Sequence, residues 1–129
     1  MSEKLMIVDD NHSILDTVSY ILEDSGFEII TASSGKECID HVSQGFKGVI
    51  LLDVMMPGLT GWETIAELIK KNTIKNVIIC MLTCVVDPDE EALKVSQYVT
   101  GYLKKPFEIE DLVSAVKHYT SLRSEINEK

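Results

Sequence analysis

A chain of 129 residues can bury its own hydrophobic core and is short enough to be one domain, which we expect to span residues 1–129 with a core from about 4 to 122. Its 12 basic residues against 21 acidic ones give a net charge of −9, which argues against nucleic-acid or anionic-membrane binding by this chain alone. No apolar stretch approaches the ~20 residues that cross a bilayer.

The chain begins with an apolar run followed by helical periodicity. Residues 5–8 predict a strand that ends at two acids, Asp9 and Asp10. Asn11 is a suitable N-cap for the next segment, where apolar residues recur at helical spacing as far as Gly26. This order predicts a strand, an acidic loop and a helix.

A second strand and helix lead to the most apolar segment of the chain. Residues 28–32 form a less apolar strand suited to a sheet edge, and the helix after it ends at Gly45. Residues 49–52 are an unbroken apolar run, typical of a strand buried on both faces. Asp53 ends this run and MMPGLTG follows. An acid there would face the ligand crevice of an open parallel sheet.

The second half repeats the alternation. A third helix follows Gly61, and an apolar strand at 77–82 ends at Thr83. Asp87 begins a short fourth helix with acids in its first turn. A last strand near 101–104 is followed by the fifth helix, traced by Phe107, Leu112, Val113, Val116 and Tyr119.

Five strands alternating with five helices predict a doubly wound α/β fold with a parallel sheet. The carboxyl ends of the first, third, fourth and fifth strands meet at one edge of such a sheet. They bring together three carboxylates, a hydroxyl and an ammonium group, from Asp9, Asp10, Asp53, Thr83 and either Lys104 or Lys105. Packing requires none of these groups, so we interpret this edge as a site for chemistry.

The cysteines indicate the cellular compartment. Cys38, Cys80 and Cys84 are odd in number and lie in or beside apolar segments, and no secretory leader pattern opens the chain. Cys80 and Cys84 could suggest a metal pair, but no second Cys or His pair is in range. The pattern predicts buried, reduced thiols in a cytoplasmic protein.

The residues at the predicted edge resemble those of the receiver domains of two-component response regulators. The resemblance runs from Leu5 to about Leu122 and rests on Asp9-Asp10, Asp53 with MMPGLTG, Thr83, and Gly101-Tyr102 leading to Lys105-Pro106-Phe107. It implies a flavodoxin-like receiver fold with the strand order 2-1-3-4-5. It also implies a signalling switch controlled by phosphorylation.

The resemblance assigns a role to each acid. Asp53 would accept a phosphoryl group from a phosphohistidine, so the chain would catalyse its own phosphorylation and dephosphorylation. Mg²⁺ would be held directly by Asp10, Asp53 and the main-chain carbonyl of Met55, and through water by Asp9. Lys105 would pair with the phosphoryl oxygens.

Other roles follow from the same likeness. The alternation of side chains along a strand favours Lys105 over Lys104, and the Lys105-Pro106 bond is expected to be cis. Thr83 and Tyr102 would form the switch, read out on the face of the fourth helix, fifth strand and fifth helix. The partners would be a sensor histidine kinase or phosphotransfer protein and a downstream protein that the sequence does not identify.

Three other functions are compatible with parts of the pattern. A flavodoxin-like electron carrier would need a hydroxyl- and glycine-rich phosphate loop after the first strand, where this chain has carboxylates. An aspartyl-phosphate phosphohydrolase would need a second Asp two residues after the nucleophile, where this chain has Met55. An interaction module that uses this fold without being phosphorylated stays an alternative function. The receiver could stand alone or belong to a longer protein.

The chain departs from the family pattern at several positions. Cys84 replaces the usual Ala after the switch hydroxyl, and Tyr98 replaces a helix-ending Gly, which predicts a rebuilt end of the fourth helix. Met55 and Val85 would flank the path of a hydrolytic water, and their apolar side chains predict a long-lived phosphoryl group. His12 is interpreted as a solvated loop residue.

Overall fold

The computed structural model describes residues 4–83 and 90–127. These residues form one five-stranded parallel sheet with the order β2-β1-β3-β4-β5, which confirms the predicted topology. The strands are β1 (Lys4–Val8), β2 (Glu28–Ala32), β3 (Gly48–Asp53), β4 (Val77–Thr83) and β5 (Val99–Lys104). The less apolar β2 lies at an edge, as expected, and β3 lies at the centre.

Helices cover both faces of the sheet. They are α1 (His12–Asp24), α2 (Gly35–Ser43), α3 (Gly61–Lys70), α4 (Glu90–Val95) and α5 (Ile109–Asn127), with 3-10 turns at Ile74–Asn76 and Ser96–Tyr98. Because successive strand residues face opposite sides, Leu5 and Ile7 pack with α1 and α5, whereas Met6 and Val8 pack with α2 and α3. Two apolar cores result, one on each face.

Polar caps begin three of the helices near the carboxyl edge of the sheet. The Asn11 side chain accepts hydrogen bonds from the first turn of α1, and the Ser34 hydroxyl accepts one from the Glu37 N–H in α2. Thr60 and Glu63 form a reciprocal capping box at the start of α3. These caps satisfy N–H groups that a helix start leaves unpaired, so each strand-to-helix loop is held at this edge.

Some boundaries differ from the sequence predictions. β5 starts at Val99 rather than near Gly101, because a register shift at Ile79/Cys80 lets it pair earlier with β4. Phe107, predicted in the fifth helix, precedes α5, which begins at Ile109. Position 12 lies in the first turn of α1 rather than in a loop and is exposed, as expected for a solvated residue.

Other predictions are confirmed or lie outside the described residues. The fourth helix ends in a 3-10 turn at Tyr98 with no left-handed residue there, the rebuilt end that was predicted. The Lys105-Pro106 bond is cis, and the thiols of Cys38 and Cys80 are free and buried. The predicted helix start at Asp87 to Asp89, and positions 84 and 85, lie outside the described residues. Within the described ranges, no helix is long and apolar enough to span a membrane.

Candidate functional site

Three carboxylates meet where β1 and β3 end. Asp9 and Asp10 directly follow β1, and Asp53 is the last residue of β3, which pairs with β1 in the sheet. Asp9 and Asp53 are only 1% and 6% exposed, whereas Asp10 is exposed. One oxygen from each carboxylate lies within 4.8 Å of the others. The structure therefore brings together the acids that the sequence placed at this edge.

The ammonium group of Lys105 bridges two of these acids. Its Nζ lies 2.8 Å from Asp9 Oδ2 and 3.3 Å from Asp53 Oδ1. The Lys105 N–H donates to the Thr83 carbonyl oxygen at 2.8 Å, which holds the residue just beyond the end of β5. Lys104 is exposed and is the register partner of Thr83. Of the two candidate lysines, Lys105 is the one that reaches the carboxylates.

Burial and charge act against each other at Asp53. Burial raises the pKa of Asp53, and the negative charge of Asp9 raises it further. The charge and hydrogen bond of Lys105 and the Met55 N–H lower it, but the raising causes prevail. For Lys105, burial lowers the pKa, yet its hydrogen bond to Asp9 and the nearby carboxylates outweigh burial and raise it. The buried carboxyl group of Asp53 therefore lies beside the Lys105 ammonium group, which stays protonated.

Backbone hydrogen bonds hold the acidic loops in place. Asp9 donates its N–H to the Ala32 carbonyl at 3.1 Å, and its Oδ1 accepts the Asn11 N–H at 2.9 Å. The Val54 N–H donates to the Leu82 carbonyl at 3.2 Å, and the Gly61 N–H donates to the Val54 carbonyl at 2.9 Å. The carboxylates therefore stand on loops that are tied to neighbouring strands.

The remaining predicted residues lie on the neighbouring strands or in the loop after Asp53. Thr83 ends β4 and is half-buried, and Met55, two residues after Asp53, has 63% of its surface exposed. Tyr102 is 53% exposed on β5, and its ring contacts the ring of Trp62. The structure thus places Thr83 and Tyr102 at the adjoining strands and gives no role to His12.

Two side-chain contacts, one beside the site and one in the middle of β4 and β5, were not foreseen from the sequence. Trp62, the single tryptophan, contacts Tyr102 from the start of α3. The Tyr119 hydroxyl hydrogen-bonds with the Cys80 thiol across Gly101, where a Cβ would collide with that hydroxyl. In the sequence, Trp62 follows a glycine, and Tyr119 gives no sign of its contact with Gly101. The partner of each aromatic ring could be found only from the three-dimensional structure.

The three acids suit a hard divalent cation. Mg²⁺ takes oxygen ligands at about 2.0–2.1 Å in octahedral geometry and keeps several waters, so it needs only one or two carboxylates. The exposed Asp10 leaves an open side for such waters, and two further carboxylates lie within reach of it. The donor set therefore fits Mg²⁺.

The fold and the site define a class of protein: a parallel doubly wound α/β domain with three acids and a lysine at the carboxyl edge of its sheet. Residues 5–117 match the family model described as response regulator receiver domain, so the chain belongs to that family. The chain therefore has a phosphorylation-dependent role in two-component signalling. Receiver domains typically bind Mg²⁺ at an acidic pocket, and the Asp cluster lies where such a pocket is expected.

Two transcriptional regulatory proteins are similar to this chain over most of its length. The chain is 35% identical to the transcriptional regulatory protein CpxR homolog of Haemophilus influenzae over 114 residues, 88% of this chain and 48% of that protein. It is 33% identical over 117 residues to the alkaline phosphatase synthesis transcriptional regulatory protein PhoP of Bacillus subtilis, 91% and 48% of the two chains. The chain thus spans about half the length of these regulators.

Solved structures show the same fold over nearly their whole length. A CheY-like response regulator receiver domain from Methanospirillum hungatei is 41% identical with a TM-score of 0.88, covering 92% of this chain and 94% of that one. The chemotaxis protein CheY4 of Vibrio cholerae is 34% identical with a TM-score of 0.82, covering 92% and 99%.

Proposed function

We propose that Asp53 accepts a phosphoryl group from the phosphohistidine of a sensor histidine kinase or a phosphotransfer protein, with Mg²⁺ at the site. The observation that carries this proposal is the convergence of Asp9, Asp10 and Asp53 with the Lys105 ammonium. An isolated buried acid could be structural, but three acids and one cation in a single cluster indicate a site that handles phosphate and metal.

The chemistry follows from the side chains present. An Asp53 carboxylate oxygen attacks phosphorus, the P–N bond to the histidine breaks, and the imidazole leaves with the bonding electrons. When bound by these acids, Mg²⁺ would supply positive charge that offsets the negative charge of the phosphoryl oxygens. Lys105 Nζ, 3.3 Å from Asp53 Oδ1, is within reach of an oxygen of the phosphoryl group bonded there. Lysine is protonated at neutral pH, and the pKa of Lys105 is raised because the two carboxylates outweigh the effect of burial, so the charge is retained in this partly buried position.

Each predicted metal ligand has a place in this proposal. Asp10 and Asp53 would hold Mg²⁺ directly with the main-chain carbonyl of Met55, and Asp9 would act through water. Asp9 also accepts a hydrogen bond from Lys105, so a bound cation would compete with the ammonium for this carboxylate. Freed from Asp9, Lys105 would turn to the phosphoryl group.

The response to phosphorylation would reach the surface through Thr83 and Tyr102. Thr83 would donate its hydroxyl to the phosphoryl group, and Tyr102 would turn inward behind it. Large apolar side chains are exposed on the surface formed by α4, the 3-10 turn after it, β5 and α5: Leu93, Tyr98, Tyr102 and Ile109. Such a surface suits docking of a downstream protein rather than nucleic acid, which the net charge of −9 disfavours.

Intact mass measurement tests the assignment. Wild-type protein incubated with a small phosphodonor and Mg²⁺ should gain the mass of one phosphoryl group, and Asp53→Asn should gain none. Asp40→Asn, which removes an exposed acid from α2, is the matched control and should label like wild type. Lys105→Ala should still bind metal but label more slowly. Labelling that persists in Asp53→Asn contradicts the assignment.

The same measurement separates the alternative function. An interaction module that uses this fold without phosphorylation would show no mass gain in wild type and no dependence on Mg²⁺. Binding to a candidate partner would then be equal for treated and untreated protein. A partner that binds better after labelling, and equally to untreated wild type and Asp53→Asn, supports the switch.

A further inference from the structure

We propose that Trp62 is a positioning residue for Tyr102: its indole ring holds the Tyr102 ring in the exposed orientation. The two ring centroids are 6.4 Å apart and the planes are inclined by 52°. This geometry lies within the range in which aromatic rings attract each other through their edges and faces. The part that concerns the response to phosphorylation rests on the proposed function, whereas the resting contact does not.

The strand register places the two rings on the same face of the sheet. Tyr102 pairs with Met81 of β4, and Thr83 lies two residues further along that strand. Residues two apart on a strand share a face, so Met81, Thr83 and Tyr102 point to the side covered by α3. Met81 and Trp62 belong to the same buried cluster. An inward turn of the Tyr102 ring towards Thr83 would therefore change its contact with Trp62.

The two rings differ in how firmly they are held. Trp62 is only 9% exposed and is packed into the core, whereas Tyr102 is 53% exposed on an edge strand. Because fewer contacts restrict an exposed ring, Tyr102 is the partner that moves and Trp62 is the partner that stays.

The position of Trp62 is tied to the acceptor strand. The Gly61 N–H donates to the Val54 carbonyl at 2.9 Å. A Cβ on Gly61 would lie 2.5 Å from the Asp53 carbonyl oxygen and 2.8 Å from the Met81 methyl group, so the start of α3 sits directly on the end of β3. The indole ring that Tyr102 contacts is therefore anchored to the end of the acceptor strand, which keeps Trp62 in place while Tyr102 moves.

A contact of this kind shifts a two-state equilibrium by about two- to tenfold. We therefore expect Trp62→Leu, which removes the ring but keeps an apolar side chain, to increase the minor population of Tyr102 by about that factor. Trp62→Phe keeps an aromatic ring at the position and should stay closer to wild type.

Fluorine NMR of protein labelled with 3-fluorotyrosine measures this population directly. The chain has 4 tyrosines, and Tyr102→Phe identifies the Tyr102 resonance. Without phosphodonor, Trp62→Leu should reduce the solvent isotope shift (ordinary water against heavy water) of the Tyr102 resonance, because a ring that turns inward more often is less exposed, while that of Tyr20, on α1, stays unchanged. A displaced resonance alone is no support, since loss of the indole ring current produces it. An isotope shift of Tyr102 that is equal or larger in Trp62→Leu overturns the proposal.

A second measurement decides the matter if Trp62→Leu does not fold. Emission from the single tryptophan should become more accessible to acrylamide in Tyr102→Leu and unchanged in the control Tyr20→Leu. Equal quenching in wild type and Tyr102→Leu overturns the ring contact. Both measurements need no phosphodonor, so they stand apart from the mass measurement that tests the proposed function. Where that labelling succeeds, it should also change Trp62 emission in wild type but not in Tyr102→Leu, and unchanged wild-type emission contradicts the coupling.

Discussion

β3 and β5 both lead to the functional edge, but they are packed differently. All six residues of β3 are buried, whereas residues of β5 alternate between half-buried and exposed. Among the described strands, β3 pairs with a strand on each side, while β5 pairs with β4 alone and does so with a register shift. The proposed acceptor thus ends the most constrained strand, and Tyr102 lies on one of the least constrained. Phosphorylation at the end of β3 can therefore produce a rearrangement in β5, where fewer packing contacts must be broken.

The largest expected effect compares one leucine from each strand. Leu51 in β3 is fully buried, and Leu103 in β5 is partly buried against the same core. Leu51→Ala should lower the free energy of unfolding by about 3–4 kcal/mol, and Leu103→Ala by about 1–2 kcal/mol. Urea unfolding followed by circular dichroism measures both. Equal losses would show that β5 is as tightly packed as β3.

The next prediction compares two glycines at which an added Cβ would collide with neighbouring atoms. At Gly61 the obstacle is the Asp53 carbonyl oxygen at 2.5 Å, which belongs to the backbone, whereas at Gly101 it is the Tyr119 ring. Gly61→Ala should cost about 2–3 kcal/mol because a strand end must move. Gly101→Ala should cost about 1 kcal/mol, since Tyr119 can turn aside and lose its hydrogen bond to Cys80.

Thermal melts and labelling rates distinguish the two glycine variants. Gly61→Ala should also slow labelling of Asp53 by the phosphodonor, because it displaces the acceptor backbone. Gly101→Ala should leave labelling close to the wild-type rate. If Gly101→Ala labels more slowly than Gly61→Ala, the proposal that phosphorylation depends more on the backbone of β3 than on that of β5 is wrong.

A smaller effect concerns how long the phosphoryl group survives at the centre. Met55 is exposed beside Asp53 and cannot orient a water, so hydrolysis of the aspartyl phosphate should be slow. Met55→Asn should speed loss of phosphate by about tenfold after the phosphodonor is removed. Met56→Leu changes the buried neighbouring side chain and is the control. Equal decay in wild type and Met55→Asn contradicts the argument, and Val85, the second predicted flanking residue, lies outside the described residues.

The smallest effect is the loss of folding stability caused by the negative charge of Asp53 in the unphosphorylated protein. Its pKa is raised above the ordinary 3.8 by burial and by Asp9, so ionisation lowers stability as pH rises through the folded pKa. Asp53→Asn should therefore stabilise the metal-free protein by about 1 kcal/mol near neutral pH, the scale of one partly screened like-charge contact. Below the ordinary pKa, where both states bind the proton, the gain should disappear.

Melting temperatures across pH measure this gain, with Asp40→Asn as a control that removes an exposed acid. Mg²⁺ should raise the melting temperature of wild type and raise that of Asp53→Asn less, because a ligand that binds only the folded state stabilises it. Melting temperatures that respond neither to Mg²⁺ nor to Asp53→Asn would contradict a shared site. The bridging ammonium of Lys105 explains why the expected gain is modest, since it already offsets part of the repulsion that the three acids alone would create.

Local patterns in the sequence determined most of the fold. The unbroken apolar run before Asp53 has the composition of a strand buried on both faces, and Asn11 has the side chain that caps a helix start. Alternating strands and helices require a parallel sheet, and the carboxyl ends of parallel strands lie at one edge. For these physical reasons the meeting of Asp9, Asp10 and Asp53 could be predicted without coordinates. The strand order came from the family resemblance and is confirmed by the sheet.

Only the tertiary structure decided which groups touch across that edge. A sequence pattern gives the face on which a side chain lies but not its distance from a residue some 40 or more positions away. The bridging of Asp9 and Asp53 by Lys105 and the contact of Trp62 with Tyr102 both depend on such distances. The start of β5 at Val99 likewise follows from the shifted pairing with β4 and not from β5 itself. These features arise from how strands stack side by side, because packing between distant segments is set by the whole fold rather than by any one segment.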